Sequence, residues 1–298
     1  MLGALLAAAA TAIAADPAPP ARLASPAGHY SLKLNALLTP ESQTGLYFKA
    51  RIDGGPLLRL LLDSGSQHIV LDRRAAAKTG RAAGSGFELV GVGAAAKSCR
   101  HAAPGTLQIG DLLLEDCAIL VVDGQLMEGV DGVIPLSLFA DFLVRLDVPG
   151  KTLELDAYPA DPPIPNASDV PVRADNRLLF IPSLINDKQP GYVLLDTGAT
   201  FSAVSPDAAR ASRNYWSLAN SIGLRGSAGY IEGFRLPPGV RFRCGERVLS
   251  ADPAVVVDLS DFARHHRFDV TGILGYPALR HTIVTIDYRD SLVRIEGK

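Results

Sequence analysis

The chain is poor in cysteine: Cys99, Cys117 and Cys244 are the only three in 298 residues. Three are too few for a disulfide framework, and none stands in the CxxC spacing that zinc or redox chemistry uses. A Cys99–Cys117 bridge in an oxidising compartment and buried free thiols are both open readings. Charge of one sign is also lacking, since 29 basic residues face 31 acidic ones for a net charge of −2. With no basic stripe, nucleic acid is excluded as a partner. Long helical patterns are missing too, because 28 Gly and 21 Pro interrupt the chain throughout; helical repeats and coiled coils are thereby excluded. His265, His266 and His281 have no acidic or Cys partner at a ligand spacing, which predicts surface histidines and no metal site.

What the chain does have is apolar material, 48% of its residues, in short runs of Val, Ile and Leu between turn residues. That texture predicts β-strands and an all-β fold. Leu2 to Ala15 is an Ala/Leu stretch followed by Asp16 and the prolines Pro17, Pro19 and Pro20. It resembles a secretory h-region with small residues at Ala12 and Ala14, although no Lys or Arg precedes it. The expectation is a signal peptide over 1–15 and a Pro-rich segment over 16–28. The protein would be exported, periplasmic or secreted. Nothing downstream reaches the roughly 20 apolar residues of a spanning helix, so no membrane span is expected in the mature protein.

The informative feature is an internal repeat. Leu60-Leu61-Leu62-Asp63-Ser64-Gly65-Ser66 matches Val193-Leu194-Leu195-Asp196-Thr197-Gly198-Ala199, and Phe48 to Leu62 lies over Ile181 to Leu195 at the same offset. Both segments read as hairpins, turning at Asp53-Gly54-Gly55 and at Asn186-Asp187-Lys188. Further on, Gly110 to Val122 lies over Gly245 to Val257, and Gly132 to Leu155 over Gly272 to Ile295. Four matches in one order, with offsets that grow by small insertions, predict two copies of one β-rich lobe, 29–156 and 173–298. Between them, 157–172 carries Pro159, Pro162, Pro163, Pro165 and Pro171. That density predicts an extended surface linker, not a central strand or helix.

In each copy an Asp follows three apolar residues, so Asp63 and Asp196 would emerge at the ends of buried strands. Gly65 and Gly198 let the backbone turn and bring an N–H towards the carboxylate. The Ser64 and Thr197 hydroxyls can bond within the turn or across to the other lobe. One Asp-Ser/Thr-Gly alone reads as an ordinary turn. Two at equivalent positions of duplicated lobes are brought together by an approximate two-fold, where the carboxylates would share one proton. Such a pair supplies a general base and a general acid to one water, with neither cofactor nor metal.

At these residues the chain resembles the aspartic peptidases: Asp63-Ser64-Gly65-Ser66 and Asp196-Thr197-Gly198-Ala199 are the D-[ST]-G-[SA] motif, once per lobe. Gly272-Ile273-Leu274-Gly275 looks like that family's hydrophobic-hydrophobic-Gly signature. The resemblance is to retropepsin-like and pepsin-like bilobal enzymes of the bacterial single-chain type. It implies two β-barrel lobes with a cleft between them, an aspartic endopeptidase with Asp63 and Asp196 catalytic, a polypeptide substrate and a monomer. It also implies glycine-rich flaps, matched by Gly91, Val92 and Gly93 in the first lobe and by Gly226 and Ser227 in the second. Two departures stand out: Pro135 occupies the place of Gly275, and the first flap lacks a Tyr. They leave a second reading open, an inactive relative that binds peptides or cell-envelope components. His68, five residues after Asp63, could tune substrate binding or be an ordinary satisfied His. Trp216 and Tyr215 could line a subsite or simply pack.

Overall fold

The computed structural model describes residues 4–5, 11–12, 21–25, 28–39, 43–81, 86–90, 97–124, 126–160, 166–212, 220–226 and 229–297. Each sequence copy opens with a hairpin. Gln43–Ile52 pairs antiparallel with Leu57–Asp63, and Phe48 faces Leu60. Leu178–Ile185 pairs with Gln189–Asp196, and Ile181 faces Val193. The two registers are therefore equivalent. The turns carry positive φ at Asp53 (52°) and Gly54 (67°), and at Asn186 (48°) and Asp187 (58°). Asp, Asn and Gly tolerate that left-handed backbone, which matches the twist of a two-residue hairpin turn.

A second hairpin follows in each copy. Gly105–Ile109 and Leu112–Cys117 turn at Gly110, and Arg241–Cys244 and Arg247–Ser250 turn at Gly245. Next, Gly132–Pro135 runs parallel beside Leu57–Asp63, and Val270–Gly275 runs parallel beside Gln189–Asp196. Among the described residues the strands of the first copy lie in a twelve-stranded sheet and those of the second in an eleven-stranded one. A third sheet of six strands joins the copies, because Phe142–Asp147 pairs antiparallel with Thr282–Asp287. The core follows from the apolar runs: Leu60, Leu61, Leu62, Val193, Leu194 and Leu195 are all fully buried. A strand covered on both faces has no place for alternation, which is why these runs are unbroken. The all-β, two-lobed expectation holds.

At the two ends of the Pro-rich stretch, Ala157 closes the strand Thr152–Ala157 and Val170–Pro171 pairs with Leu292–Gly297 at the margin of the six-stranded sheet, neither of them a central strand or a helix within the stretch. Proline is tolerated there because an edge strand has one side without ladder bonds. At the N-terminus, Ala4–Leu5 pairs with Leu224 and Arg225, and Thr11–Ala12 pairs with Val90 and Leu89. No helix among the described residues is long and apolar enough to cross a membrane. All three cysteines are buried and none is in a disulfide, so Cys99 and Cys117 are not bridged.

His266 is not a surface residue. It is buried against Phe180, Phe262 and Phe268, with Nδ1 2.6 Å from Asp175 Oδ2. Burial pulls its pKa down against the opposing pull of Asp175. His265 precedes it on the short helix Ser260–His266, and neighbouring helical positions face different ways. One of the two turns outward and the other turns in. Among the described residues no group of three or more His, Cys, Asp or Glu could hold a metal ion.

The strand Gly132–Pro135 is wedged between the Asp63 strand and Ile69–Asp72, its antiparallel neighbour, and the fit depends on glycine. A Cβ on Gly132 would stand 2.4 Å from the Val70 carbonyl oxygen, whereas one on Gly223 would meet nothing within 4 Å. Gly132→Ala is therefore expected to cost about 2–3 kcal/mol in urea unfolding, the scale of core overpacking. Gly223→Ala is expected to fall within about 0.5 kcal/mol of the parent. Equal stability of the two variants would contradict this packing.

Candidate active site

Asp63 ends the strand Leu57–Asp63 and Asp196 ends Gln189–Asp196. Their loops interlock: Gly65 lies against the Asp196 carboxyl and Gly198 against that of Asp63. Both are buried, with 3% of Asp63 and none of Asp196 exposed. The turn after each Asp folds back as the motif suggested. Gly65 N–H donates to Asp63 Oδ1 at 2.9 Å, and Gly198 N–H donates to Asp196 Oδ1 at 2.9 Å. Asp196 Oδ1 also accepts from Ala199 N–H at 3.0 Å.

The intervening hydroxyls reach across the lobes. Ser64 N–H donates to Thr197 Oγ1 at 3.0 Å, and Thr197 N–H donates to Ser64 Oγ at 2.9 Å. Each hydroxyl in turn donates to a carbonyl of the opposite strand: Ser64 to Leu195 O and Thr197 to Leu62 O, both at 2.8 Å. Two residues thus form four cross-lobe bonds, all buried, which removes the choice between a local and a cross-lobe role.

The glycines have a second task that their sequence position did not reveal. A Cβ on Gly65 would stand 2.7 Å from Cγ of Asp196, and one on Gly198 would stand 2.6 Å from Cγ of Asp63. Each glycine leaves the space that the other lobe's carboxyl fills. The signal was present in the doubled motif, but only the cross-lobe geometry gives it meaning.

Burial raises the pKa of both acids. Asp63 is pushed up to about 7, against the weaker lowering effect of its hydrogen bonds. Asp196 is pushed well above the usual carboxylate range by burial and then by the nearby Asp63 charge. Asp196 Oδ2 is buried with no donor among the described residues. Burial and the nearness of the two acids both favour protonated carboxyl over carboxylate at this place.

The other candidate residues divide. Ser66 and Ala199 are buried beside the Asp loops, and Ser66 Oγ donates to His68 O at 3.0 Å. His68 is buried, with Nδ1 lacking a partner among the described residues. Burial drives its pKa down to about 4, so the ring is neutral. Gly226 ends the strand Ser221–Gly226, the first arm of a hairpin with Gly229–Arg235. Gly91, Val92, Gly93 and Ser227 lie outside the described residues, as do Tyr215 and Trp216. Pro135 stands opposite Asp63 in the same register that Gly275 keeps opposite Asp196. A cavity of about 360 Å³ beside Arg73, Arg81 and Arg100 is not lined by either Asp.

Two outcomes follow. Thr197→Val removes one buried acceptor and one buried donor at once, so chemical unfolding should show a loss of about 2–4 kcal/mol. Adding Ser64→Ala should cost less than the two single losses together, because the bonds are reciprocal. Additive losses would contradict the network. The second outcome concerns pH. Both folded pKa values lie above the unfolded one, so the folded protein binds more protons, and stability present below about pH 4 drains away as pH rises towards 7. Across that window Tm should fall more in the parent than in Asp63→Asn/Asp196→Asn, measured by calorimetry; parallel curves would contradict the shared burial.

Residues 48–138 match the profile of a family described as aspartyl protease. No curated protein matches the chain. Among solved structures it is similar to the aspartic proteinase from Irpex lacteus, at 14% identity and a TM-score of 0.57, over 91% of this chain and 97% of that one. The segment that matches the family contains Asp63 and the strand Gly132–Pro135 beside it, and the structural likeness extends over both copies. Residues 48–138 thus resemble the aspartyl protease family, and the chain over both copies has the fold of that aspartic proteinase.

Proposed function

We propose that the protein is an aspartic endopeptidase in which Asp63 and Asp196 activate one water for attack on a peptide carbonyl. The observation that carries this reading is the buried, cross-bonded carboxyl pair. With one shared proton, the ionised member takes a proton from a water placed between them while the protonated member donates to the carbonyl oxygen. The dyad chemistry follows the general pattern known from pepsin. The pair holds both functions at once because burial keeps the second proton from leaving in the acid to neutral range. No covalent intermediate is needed.

The substrate would lie extended between the lobes, with its backbone paired to the hairpins over the site and its side chains in alternating pockets. The hairpin Ser221–Gly226 with Gly229–Arg235 supports that arrangement on the second lobe. Pro135 keeps its strand in register with Asp63, which supports a working first half and weighs against the inactive peptide-binding reading. The apolar stretch Leu2 to Ala15 supports export to a periplasmic or extracellular site.

Cleavage of an unfolded polypeptide, followed from acidic to neutral pH, tests the proposal. Asp63→Asn and Asp196→Asn should each reduce the rate by at least about 10²- to 10⁴-fold, the scale of general acid–base catalysis, while the fold is retained. An isostere that binds a statine-type inhibitor as the parent does would show loss of chemistry alone. Hydrolysis that is unchanged in either variant, or absent in the parent across that range, would overturn the proposal.

A further inference from the structure

The Ser64–Thr197 bonds tie the lobes beside the two acids, and the six-stranded sheet joins them again through the pairing of Phe142–Asp147 with Thr282–Asp287. A further cross-lobe bond involves a side chain next to the Asp196 loop. Tyr276 directly follows Gly275, the residue opposite Asp196 in register. Its N–H donates to Ala199 O at 2.8 Å, and the Ala199 N–H donates to Asp196 Oδ1. The ring is 2% exposed, and its phenol oxygen accepts a hydrogen bond from Gln43 Nε2 of the first lobe. Gln43 opens the strand Gln43–Ile52, whose partner strand carries Asp63. Tyr276 is thus bonded directly to the Asp196 loop, and Gln43 lies four residues before the stretch Tyr47–Arg51 that pairs with the Asp63 strand. The position equivalent to Tyr276 in the first copy is Leu136, which has no polar atom to offer, so the bond has no counterpart in the repeat. Burial pushes the Tyr276 phenol pKa up to about 12 and keeps it neutral.

We propose that Gln43 and Tyr276 are a positioning pair that sets the angle between the lobes at the dyad, and through it the separation of the Asp63 and Asp196 carboxyls. This rests on reading those two acids as a working dyad. Coulombic coupling inside a protein varies steeply with distance, so the sensitive observable is the gap between the two apparent pKa values of the pair. Packing by the Tyr276 ring alone would affect stability without moving that gap.

The test uses the full chain with ¹³C-labelled aspartate, titrated by NMR, together with kcat and KM on an unfolded polypeptide across pH. Gln43→Leu and Tyr276→Phe should each change the gap and shift the pH profile, with kcat down about tenfold or more and KM within about twofold. The two changes together should do no more than either alone. Gln43→Glu should restore parental behaviour, because the phenol O–H can donate to a carboxylate across the same space. The proposal is overturned if the titration and the pH profile match the parent in both Gln43→Leu and Tyr276→Phe, or if Gln43→Glu behaves as Gln43→Leu does. Where Tyr276→Phe fails to fold, the contrast between Gln43→Leu and Gln43→Glu decides. A parent that cleaves nothing would sink the endopeptidase reading, while the titration would still decide the tie.

Discussion

Two acids that repel one another when both are ionised are held together, out of water, by bonds that carry no formal charge. The four cross-lobe bonds of Ser64 and Thr197 provide that hold. Buried neutral hydrogen bonds of this kind are worth about 1 kcal/mol each in net stability, but leaving one unmade costs more. The lobes therefore have one favourable arrangement near the site, and in it each Asp carboxyl lies against the glycine of the other lobe's loop. Everything around the pair serves the same constraint: apolar strands that bring the acids to their ends, glycines that leave room, and backbone N–H groups that fix one oxygen of each.

The two halves are similar without being equal. Asp196 accepts two backbone N–H bonds on Oδ1 and Asp63 accepts one. Gly275 N–H donates to Ser202 Oγ at 3.2 Å, a bond that Pro135 has no N–H to make. Tyr276 reaches across to Gln43 where Leu136 has only apolar atoms. A duplicated unit with identical halves would make the two carboxyls equivalent. These differences give the pair a direction, which a reaction that takes a proton on one side and gives one on the other can use.

Much of this was legible before any coordinates. The unbroken runs Leu60-Leu61-Leu62 and Val193-Leu194-Leu195 announced strands buried on both faces, and the repeat announced equivalent neighbours for both. Hairpin turns were legible because Asp53-Gly54 and Asn186-Asp187 suit a backbone with positive φ. What the sequence could not show was every property that depends on a partner far along the chain. The cross-lobe role of Gly65 and Gly198 is one such property, because a glycine's empty space has meaning only once its occupant is known. The buried His266 is another: its Asp175 partner is 91 positions away, and a His-His pair on a short helix does not say which ring turns inward. The edge pairing of Pro171 with Leu292 is a third, since a strand of two residues exists only through its partner.

The proposed chemistry stands or falls with whether Asp63 and Asp196 form one buried unit that shares a proton. A neutron crystal structure collected at mildly acidic pH addresses it most directly, because it locates both the carboxyl oxygens and the deuterium between them. The facing oxygens are expected to lie in direct contact or share one water, with a single deuterium between the pair. Carboxyls separated by two or more water diameters, each with its own solvent shell, would contradict it.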